Sequence, residues 1–297
     1  MTKFDAVRPV LLLLVLASIW SSSFAAIKIG VETLPPMTLA AFRITLAAIV
    51  LYGYTRFNAM SIPRDIKYWV LVFLIGVFGN GLPFTLIGWG EQTIDSGLAA
   101  ILMAVMPLTT VLLVHIFSSH ERLTPQKVVG VLVGFGGVIV LVGPEALNGL
   151  GGDALRQIAV ACGAFSYAIA TTIAINLPRL HPAVSGTGVM VMGAFQMVTL
   201  SMIFDQPWLL TPTMMSWGAA VYLGLFPTAL ATFLYFHLLQ IQGAVFISYN
   251  NYIIPGLGVL WGALFLSERV SIKEIVALGF ILSGIAIASI GNKNKIS

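Results

Sequence analysis

Charge is what this sequence has least of. Only 9% of its 297 residues are Asp, Glu, Lys or Arg, while 58% are apolar. A soluble domain needs about a quarter of its residues charged to cover its surface, so hydrocarbon rather than water must face most of the exterior. Cysteine is nearly absent. Cys162 stands alone, which excludes an intramolecular disulfide and a cysteine-based metal site; within an apolar run it reads as a small packed thiol. Enzyme signatures are missing too. There is no His-Glu-x-x-His, no Gly-x-Ser-x-Gly, no pair of intramembrane aspartates and no phosphate-binding glycine loop. An intramembrane enzyme is therefore disfavoured, and nothing calls for a metal or cofactor. A channel, which needs a continuous polar lining or rings of charge, is disfavoured for the same want of polar residues. The pI of about 9.3 does not signal nucleic acid, because the basic residues are scattered through short loops without forming a patch.

What is present is a series of apolar runs of about 20 residues without period-2 alternation, the length and pattern of spanning helices rather than barrel strands. Ten such segments are expected, near 10–30, 37–56, 68–89, 96–117, 126–142, 154–175, 183–204, 216–237, 243–266 and 272–290. The first resembles a secretory signal, with Lys3 and Arg8 ahead of Leu11 to Leu16. Its apolar stretch runs on through Phe24 and Ile27, so a retained helix is expected.

Short loops allow orientation by the positive-inside rule. With the N-terminus inside, the cytoplasmic side holds Lys3, Arg8, Arg56, Arg64, Lys67, Arg122, Lys127, Arg179, Lys293 and Lys295, ten in all. The far side holds four: Lys28, Arg156, Arg269 and Lys273. Both termini are then cytoplasmic.

An internal repeat divides the chain. The stretch from Pro107 to Val140 is matched by that from Pro255 to Ile287, each carrying a Glu-Arg pair (Glu121-Arg122, Glu268-Arg269) with 147 positions between the copies. A hydroxyl residue follows each pair (Thr124, Ser271) and a glycine each later helix (Gly137, Gly284). The Gly-containing stretch from Gly143 to Asp153 is the midpoint. Residues 1–143 and 153–297 thus form two five-helix repeats. An odd helix number per half makes the topology inverted, a common plan for secondary transporters, with the substrate site near midplane where helices are broken. Four segments carry breaks in corresponding places: Pro83 beside Gly79-Asn80-Gly81, Pro227 beside Gly224, Pro107, and Pro255 after Asn250-Asn251. These four prolines are the candidate hinges for alternating access.

Several spacings together resemble the drug/metabolite transporter superfamily, specifically its ten-helix EamA-type members. They are Trp20-Ser-Ser-Ser-Phe24 with Lys28, Ala41-Phe42-Arg43, and the block with Pro107, Glu121-Arg122, Gln126, Gly130 and Gly137. The resemblance covers residues 10–290, and within the superfamily is nearest to YddG-type exporters of aromatic amino acids. It implies a multi-pass carrier of a bacterial-type cytoplasmic (inner) membrane that exports small metabolites through a central cavity. Other metabolites or drugs are the alternative cargo. Nucleotide sugars fit less well, for want of positive charge to face their phosphates.

The candidate substrate-binding residues are Trp20, Phe24, Arg43, Asn80, Tyr167, Tyr249, Asn250 and Asn251. Arg43 lies within a helix, where a charge costs about 2.5–3.5 kcal/mol on insertion scales and should face protein or a cavity; a bidentate grip on a carboxylate is its use, and a structural staple the alternative. Trp20, Phe24 and Lys28 recur every four residues on one helix face and suit ring stacking or a cation. Asn80 and the Tyr249-Asn250-Asn251-Tyr252 cluster lie beside helix breaks, where amides can serve a zwitterion or freed backbone carbonyls. Trp89 and Gln196 rank lower. The glycine face Gly130, Gly134 and Gly137 is expected to pack inside a monomer, with a dimer contact as the alternative.

No acid is expected well inside a helix; Glu32, Glu91, Asp95, Asp153, Asp205 and Glu268 fall at edges. The related four-helix multidrug pumps carry a first-helix glutamate, and this chain has Trp20 and hydroxyl residues there. Without a buried ionisable group, facilitated or gradient-driven export, or coupling by an unrecognised route, is the expectation.

Overall fold

The computed structural model describes residues 3–117, 125–142, 152–174 and 176–290. Glu121-Arg122 and most of the expected midpoint lie outside them. Among the described residues the protein is all helical. Six helices are long and apolar enough to cross a membrane: Arg8–Gly30, Pro36–Phe57, Ile66–Glu91, Ala154–Ala174, Pro182–Phe204 and Met214–Tyr235. Shorter apolar helices are Ser96–Thr110, Pro125–Val140 and Ile253–Leu266. This is a multi-pass membrane protein.

Helices α1 (Lys3–Gly30) and α2 (Pro36–Phe57) are uninterrupted. The third expected segment is α3 (Ile66–Gly76), a π-helical turn at Val77–Gly81, then α4 (Leu82–Glu91). The fourth is α5 (Ser96–Met103) and α6 (Met106–Phe117), parted by a turn at Ala104-Val105 just before Pro107. Helices α7 (Pro125–Val142), α8 (Gly152–Ala174) and α9 (Pro182–Phe204) follow, then α10 (Met214–Leu223), a second π-helical turn at Gly224–Leu230, and α11 (Ala231–Ser248). Helices α12 (Asn250–Leu266) and α13 (Ile272–Ile290) complete the described chain.

The division into ten segments needs one correction. No break separates the expected eighth and ninth, because α11 runs helical through 238–242 and the interruption falls at Tyr249. The run Leu238 to Gln242 contains neither proline nor glycine, so nothing local stops the helix there. Cys162 is also corrected: it is exposed. With Leu155, Ile158 and Phe165, all exposed, it follows a helical stripe on the outer face of α8 rather than packing inside.

Pro83 and Pro227 stand at the π-helical turns, and Pro107 follows the turn before α6. Pro255, expected to break its segment, lies inside continuous α12 because the interruption falls earlier, at Tyr249. Val77 and Gly224, the first residues of the two π-helical turns, are 147 positions apart, the same interval as the Glu-Arg pairs. Proline lacks an N–H, so it leaves a carbonyl of the preceding turn without its donor. In the first turn the Leu82 amide bonds to Val77 O, five residues back; by that pattern Phe78 O would need Pro83. Ser166 of α8 supplies the missing donor, with Oγ 2.8 Å from Phe78 O. In the second, Leu223 O would be served by position 227, and Thr228 Oγ1 donates to it instead at 2.8 Å. Both breaks are thus held open without leaving these carbonyls unpaired.

Glycines set the closest helix approach. A Cβ on Gly284 of α13 would stand 2.5 Å from both Gly130 O and Gly134 N of α7, and one on Gly137 would stand 2.8 Å from Ala277 O. The Gly130–Gly134–Gly137 face is therefore covered within the chain, by α13 and, at Gly134, by Leu108 of α6. Helix ends are tied by long-range caps. Asp205, after α9, accepts from Thr38 N and Oγ1 at the start of α2, both at 2.8 Å. Glu268 of the Glu-Arg motif accepts from Ser96 N, Ser96 Oγ and Gly97 N at 2.8, 2.9 and 3.1 Å. It caps the positive N-terminus of α5 from 171 residues away.

Candidate functional site

The site is built around Arg43, on the second turn of α2. Residues Ala40, Ala41, Ile44 and Ala47 beside it are small or apolar and bury α2 against α9, which carries Arg43 into the protein: it is 4% exposed. Its Nε donates to Thr228 Oγ1 at 3.1 Å, so the hydroxyl that repairs the Pro227 break also orients the guanidinium. The guanidinium carbon lies 3.8 Å from the centre of the Phe84 ring. Phe84 in turn meets the edge of Tyr167, ring centres 6.4 Å apart. Among the described residues the terminal nitrogens of Arg43 have no acceptor, which leaves the planar fork of the side chain unused. Tyr167 and Glu91 lie within electrostatic reach of it.

The other candidates divide. Asn80 is buried on the first π-helical turn and faces α9, where a Cβ on Gly193 would stand 3.8 Å from its Cβ and Nδ2. Tyr167 joins Arg43 through Phe84. Trp20 is half-buried and sits with Tyr235 of α11, ring centres 5.7 Å apart and tilted by 43°, beside the second break rather than on Arg43. Phe24 is 7% exposed and packed in the core among residues including Ala100 and Leu102. Asn250 is 2% exposed, and neither its Oδ1 nor its Nδ2 has a partner. Tyr249 turns outward at 48% exposure and meets only the edge of Phe246 among ring contacts. Asn251 is half-buried, and the Tyr252 side chain lies outside the described residues. Gln196 donates from Nε2 to Phe73 O at 2.9 Å, a carbonyl just before the first π-helical turn. Trp89 lies under the guanidinium of Arg156, 3.8 Å from ring centre to carbon, and its carbonyl accepts from the same side chain.

Residues that the sequence did not single out complete the surroundings. Phe84 and Thr228 each directly follow a proline at a helix break, and that adjacency was the available signal. Tyr222 of α10 bonds to Ser22 of α1, oxygen to oxygen 2.6 Å, and stacks on Phe226 at 5.3 Å. Glu91 is the larger omission. It ends α4, yet it is fully buried and neither carboxylate oxygen meets a donor in hydrogen-bonding geometry. The expectation that every acid sits at a wet edge fails here, because a helix end is exposed only when nothing packs over it. Around it, Lys28 Nζ donates to Ile94 O at 2.7 Å. Burial and the Glu268 carboxylate push the Asp95 carboxyl above its ordinary range, with Lys28 opposing. A hollow of about 470 Å³ opens elsewhere, at the α2–α3 turn, lined by Tyr52, Arg56 and Arg64 among others.

Among the described residues no group of His, Cys, Asp and Glu could hold a metal ion. The arrangement offers a cation with a free fork, aromatic rings on one side of it, and two helix breaks at its edge. That is equipment for holding and releasing a solute.

Comparison with known proteins agrees. The model of the EamA-like transporter family matches residues 7–143 and 155–290. An uncharacterized transporter of Archaeoglobus fulgidus is 28% identical over 90% of this chain and 94% of its own. The uncharacterized inner membrane transporter YedA of Escherichia coli K12 is 27% identical over 92% and 88%, and the uncharacterized transporter YoaV of Bacillus subtilis is 24% identical over 90% and 91%. A solved crystal structure shares the fold with a TM-score of 0.68 at 22% identity, over 98% of this chain and 99% of the other. The chain, matched by the family model along both halves of its length, belongs to the EamA-like transporter family and is a membrane transporter of the drug/metabolite superfamily.

Proposed function

We propose that this transporter exports small amphipathic organic solutes across the cytoplasmic membrane, with aromatic amino acids as its cargo. The observation that carries the reading is the buried guanidinium of Arg43, which has one hydrogen bond through Nε, an aromatic ring against its face and its terminal nitrogens unengaged. A substrate carboxylate would take that fork as a bidentate, charge-assisted pair. Its ring would lie with Phe84 and Tyr167, and amide contacts would come from Asn80 on the first break and Asn250 at the start of α12.

The halves act as inverted repeats that rock about the bound solute. The hinges are the breaks at Pro83 and Pro227, where a hydroxyl already replaces a backbone donor, so the helix can change its bend without stranding a carbonyl. Pro107 and Pro255 act in the neighbouring helices. The basic loops keep both termini in the cytoplasm, and the Escherichia coli relative, named as an inner membrane transporter, supports the same membrane here. The protein works as a monomer, its glycine face being covered within the chain.

The test is counterflow of labelled phenylalanine in proteoliposomes, beside protein-free vesicles. Saturable counterflow is expected, weakened at least tenfold in kcat/KM by Arg43→Ala and less by Trp20→Ala. Wild-type counterflow unchanged by Arg43→Ala would refute the site. Absence of counterflow, with thermal stabilisation by another metabolite class, would refute the cargo.

A further inference from the structure

Arg43 has a counterpart of opposite sign. Glu91 is fully buried, and both of its oxygens lack a donor in hydrogen-bonding geometry. The Lys28 main-chain amide faces it without meeting that geometry, and Arg43 and Glu91 are within electrostatic reach of each other. Burying an ionised carboxylate without a hydrogen bond is among the most expensive arrangements a protein interior can hold. A carboxyl so placed keeps a proton, or stays charged beside Lys28 and Arg43 with room for a further cationic donor.

The neighbours do not fill that role themselves. From α1, the ammonium of Lys28 is the leading opposite charge within reach of Glu91, but it donates to Ile94 O and gives neither Glu91 oxygen a hydrogen bond. From α8, Arg156 is engaged with the Trp89 carbonyl and with Gln92 Oε1, and Tyr167 lies on the Arg43 side. Glu268, after α12, opposes the charge of Glu91 and is itself occupied by the N-terminus of α5. Asp95 lies in the exposed loop just beyond. Among the described residues at this end, the fork of Arg43, all donor, and the carboxylate of Glu91, all acceptor, thus stand without a hydrogen bond.

We infer that Arg43 and Glu91 together read a zwitterion, with Glu91 taking the substrate's ammonium group in exchange for one proton. The inference rests on the reading of Arg43 as the carboxylate anchor and extends it to the amine and to the driving force. The exchange balances. On the cytoplasmic side the O–H bond of protonated Glu91 breaks, its proton passes to water, and the carboxylate accepts an N–H of the incoming ammonium. On the far side a proton from water forms the O–H bond again and the amine leaves with its own protons. One proton enters for each neutral zwitterion exported, so both the pH gradient and the membrane potential drive the cycle. This names a coupling route where the expectation drawn from the sequence was facilitated or gradient-driven export, or an unrecognised route.

The experiment is proton release on binding by the full-length protein in weakly buffered detergent, read with a pH dye. The ligands are L-phenylalanine and 3-phenylpropionate, which lacks the amine. With wild type, phenylalanine should release protons and 3-phenylpropionate should not. Phenylalanine affinity should weaken about tenfold for each pH unit once Glu91 is protonated, the slope for one competing proton. Glu91→Gln should abolish the release, flatten the pH dependence and bind the two ligands alike; Glu91→Asp should restore both effects in part. The wild-type ligand pair is decisive even if a variant does not fold. Phenylalanine counterflow without proton release, or release that persists in Glu91→Gln, overturns the inference and leaves the Arg43 reading standing. Release on binding another amine-bearing zwitterion, without phenylalanine counterflow, overturns the aromatic cargo and supports the exchange. No binding or release with either kind of solute overturns both.

Discussion

Replacing Gly284 by alanine adds one carbon at the tightest approach of a glycine to another helix's backbone among the described residues. That carbon would lie 2.5 Å from Gly130 O, 2.5 Å from Gly134 N and 2.7 Å from Gly134 Cα. All three are backbone atoms of α7, so no rotamer change relieves the contact, and α13 must move away by about 1 Å to reach ordinary van der Waals distance. Overpacking of a core by a single carbon costs about 1–3 kcal/mol; against a rigid helix backbone the upper end applies. Alanine returns about 1 kcal/mol through its better helix propensity, which leaves a net destabilisation of about 2 kcal/mol. Gly279 on the same helix is the control, because a Cβ there would meet nothing within 4 Å. Gly279→Ala should be neutral to slightly stabilising. Thermal unfolding of both variants in one detergent measures the difference, by intrinsic fluorescence or by protection from a thiol reagent at a buried engineered cysteine. Equal melting temperatures for the two alanine variants would refute the claim that α7 and α13 pack backbone to backbone.

Three further outcomes are expected. Ser166→Ala strands the Phe78 carbonyl beside Pro83 and should cost about 1–3 kcal/mol by the same assay, whereas Ser166→Thr, which keeps a hydroxyl, should cost less. Glu268→Ala removes three hydrogen bonds and the cap of α5, for about 1–3 kcal/mol; an equal loss from Arg269→Ala, whose side chain is exposed, would argue against the cap. Asp95 has a carboxyl pushed above its ordinary range, so the folded protein holds that proton more tightly than the unfolded chain does. Stability should fall as pH rises from the unfolded value of 3.8 through the raised one, and Asp95→Asn should melt higher than wild type at neutral pH, with the difference vanishing in acid.

Most of the helices were legible because a spanning segment must be long, apolar and self-satisfied in its backbone, and these demands are written residue by residue. Pro83 and Pro227 were legible as breaks for a similar reason: loss of an N–H is a local fact. The boundary expected near 238–242 was not, since α11 needs no breaker to continue and its path depends on what packs beside it. Arg43 stood out as a charge within a helix, while Phe84 and Thr228, the groups that orient it, come from helices remote in sequence. Glu91 lies at a helix end, as expected, yet is buried, and Cys162, expected to be packed, is exposed. In both cases the sequence gives position along a helix, and only neighbouring helices decide which face is covered.

The amino-acid sequence by itself determined the solvent, the breaks at Pro83 and Pro227 and the family, because each follows from composition or spacing along one chain. Tertiary structure alone decided that Arg43 keeps a free fork among the described residues, that a carboxylate is buried with no donor in hydrogen-bonding geometry, and that the Glu-Arg motif caps a helix 171 residues away. Those are properties of distance between segments, and hydrogen bonding and desolvation depend on that distance rather than on order in the chain.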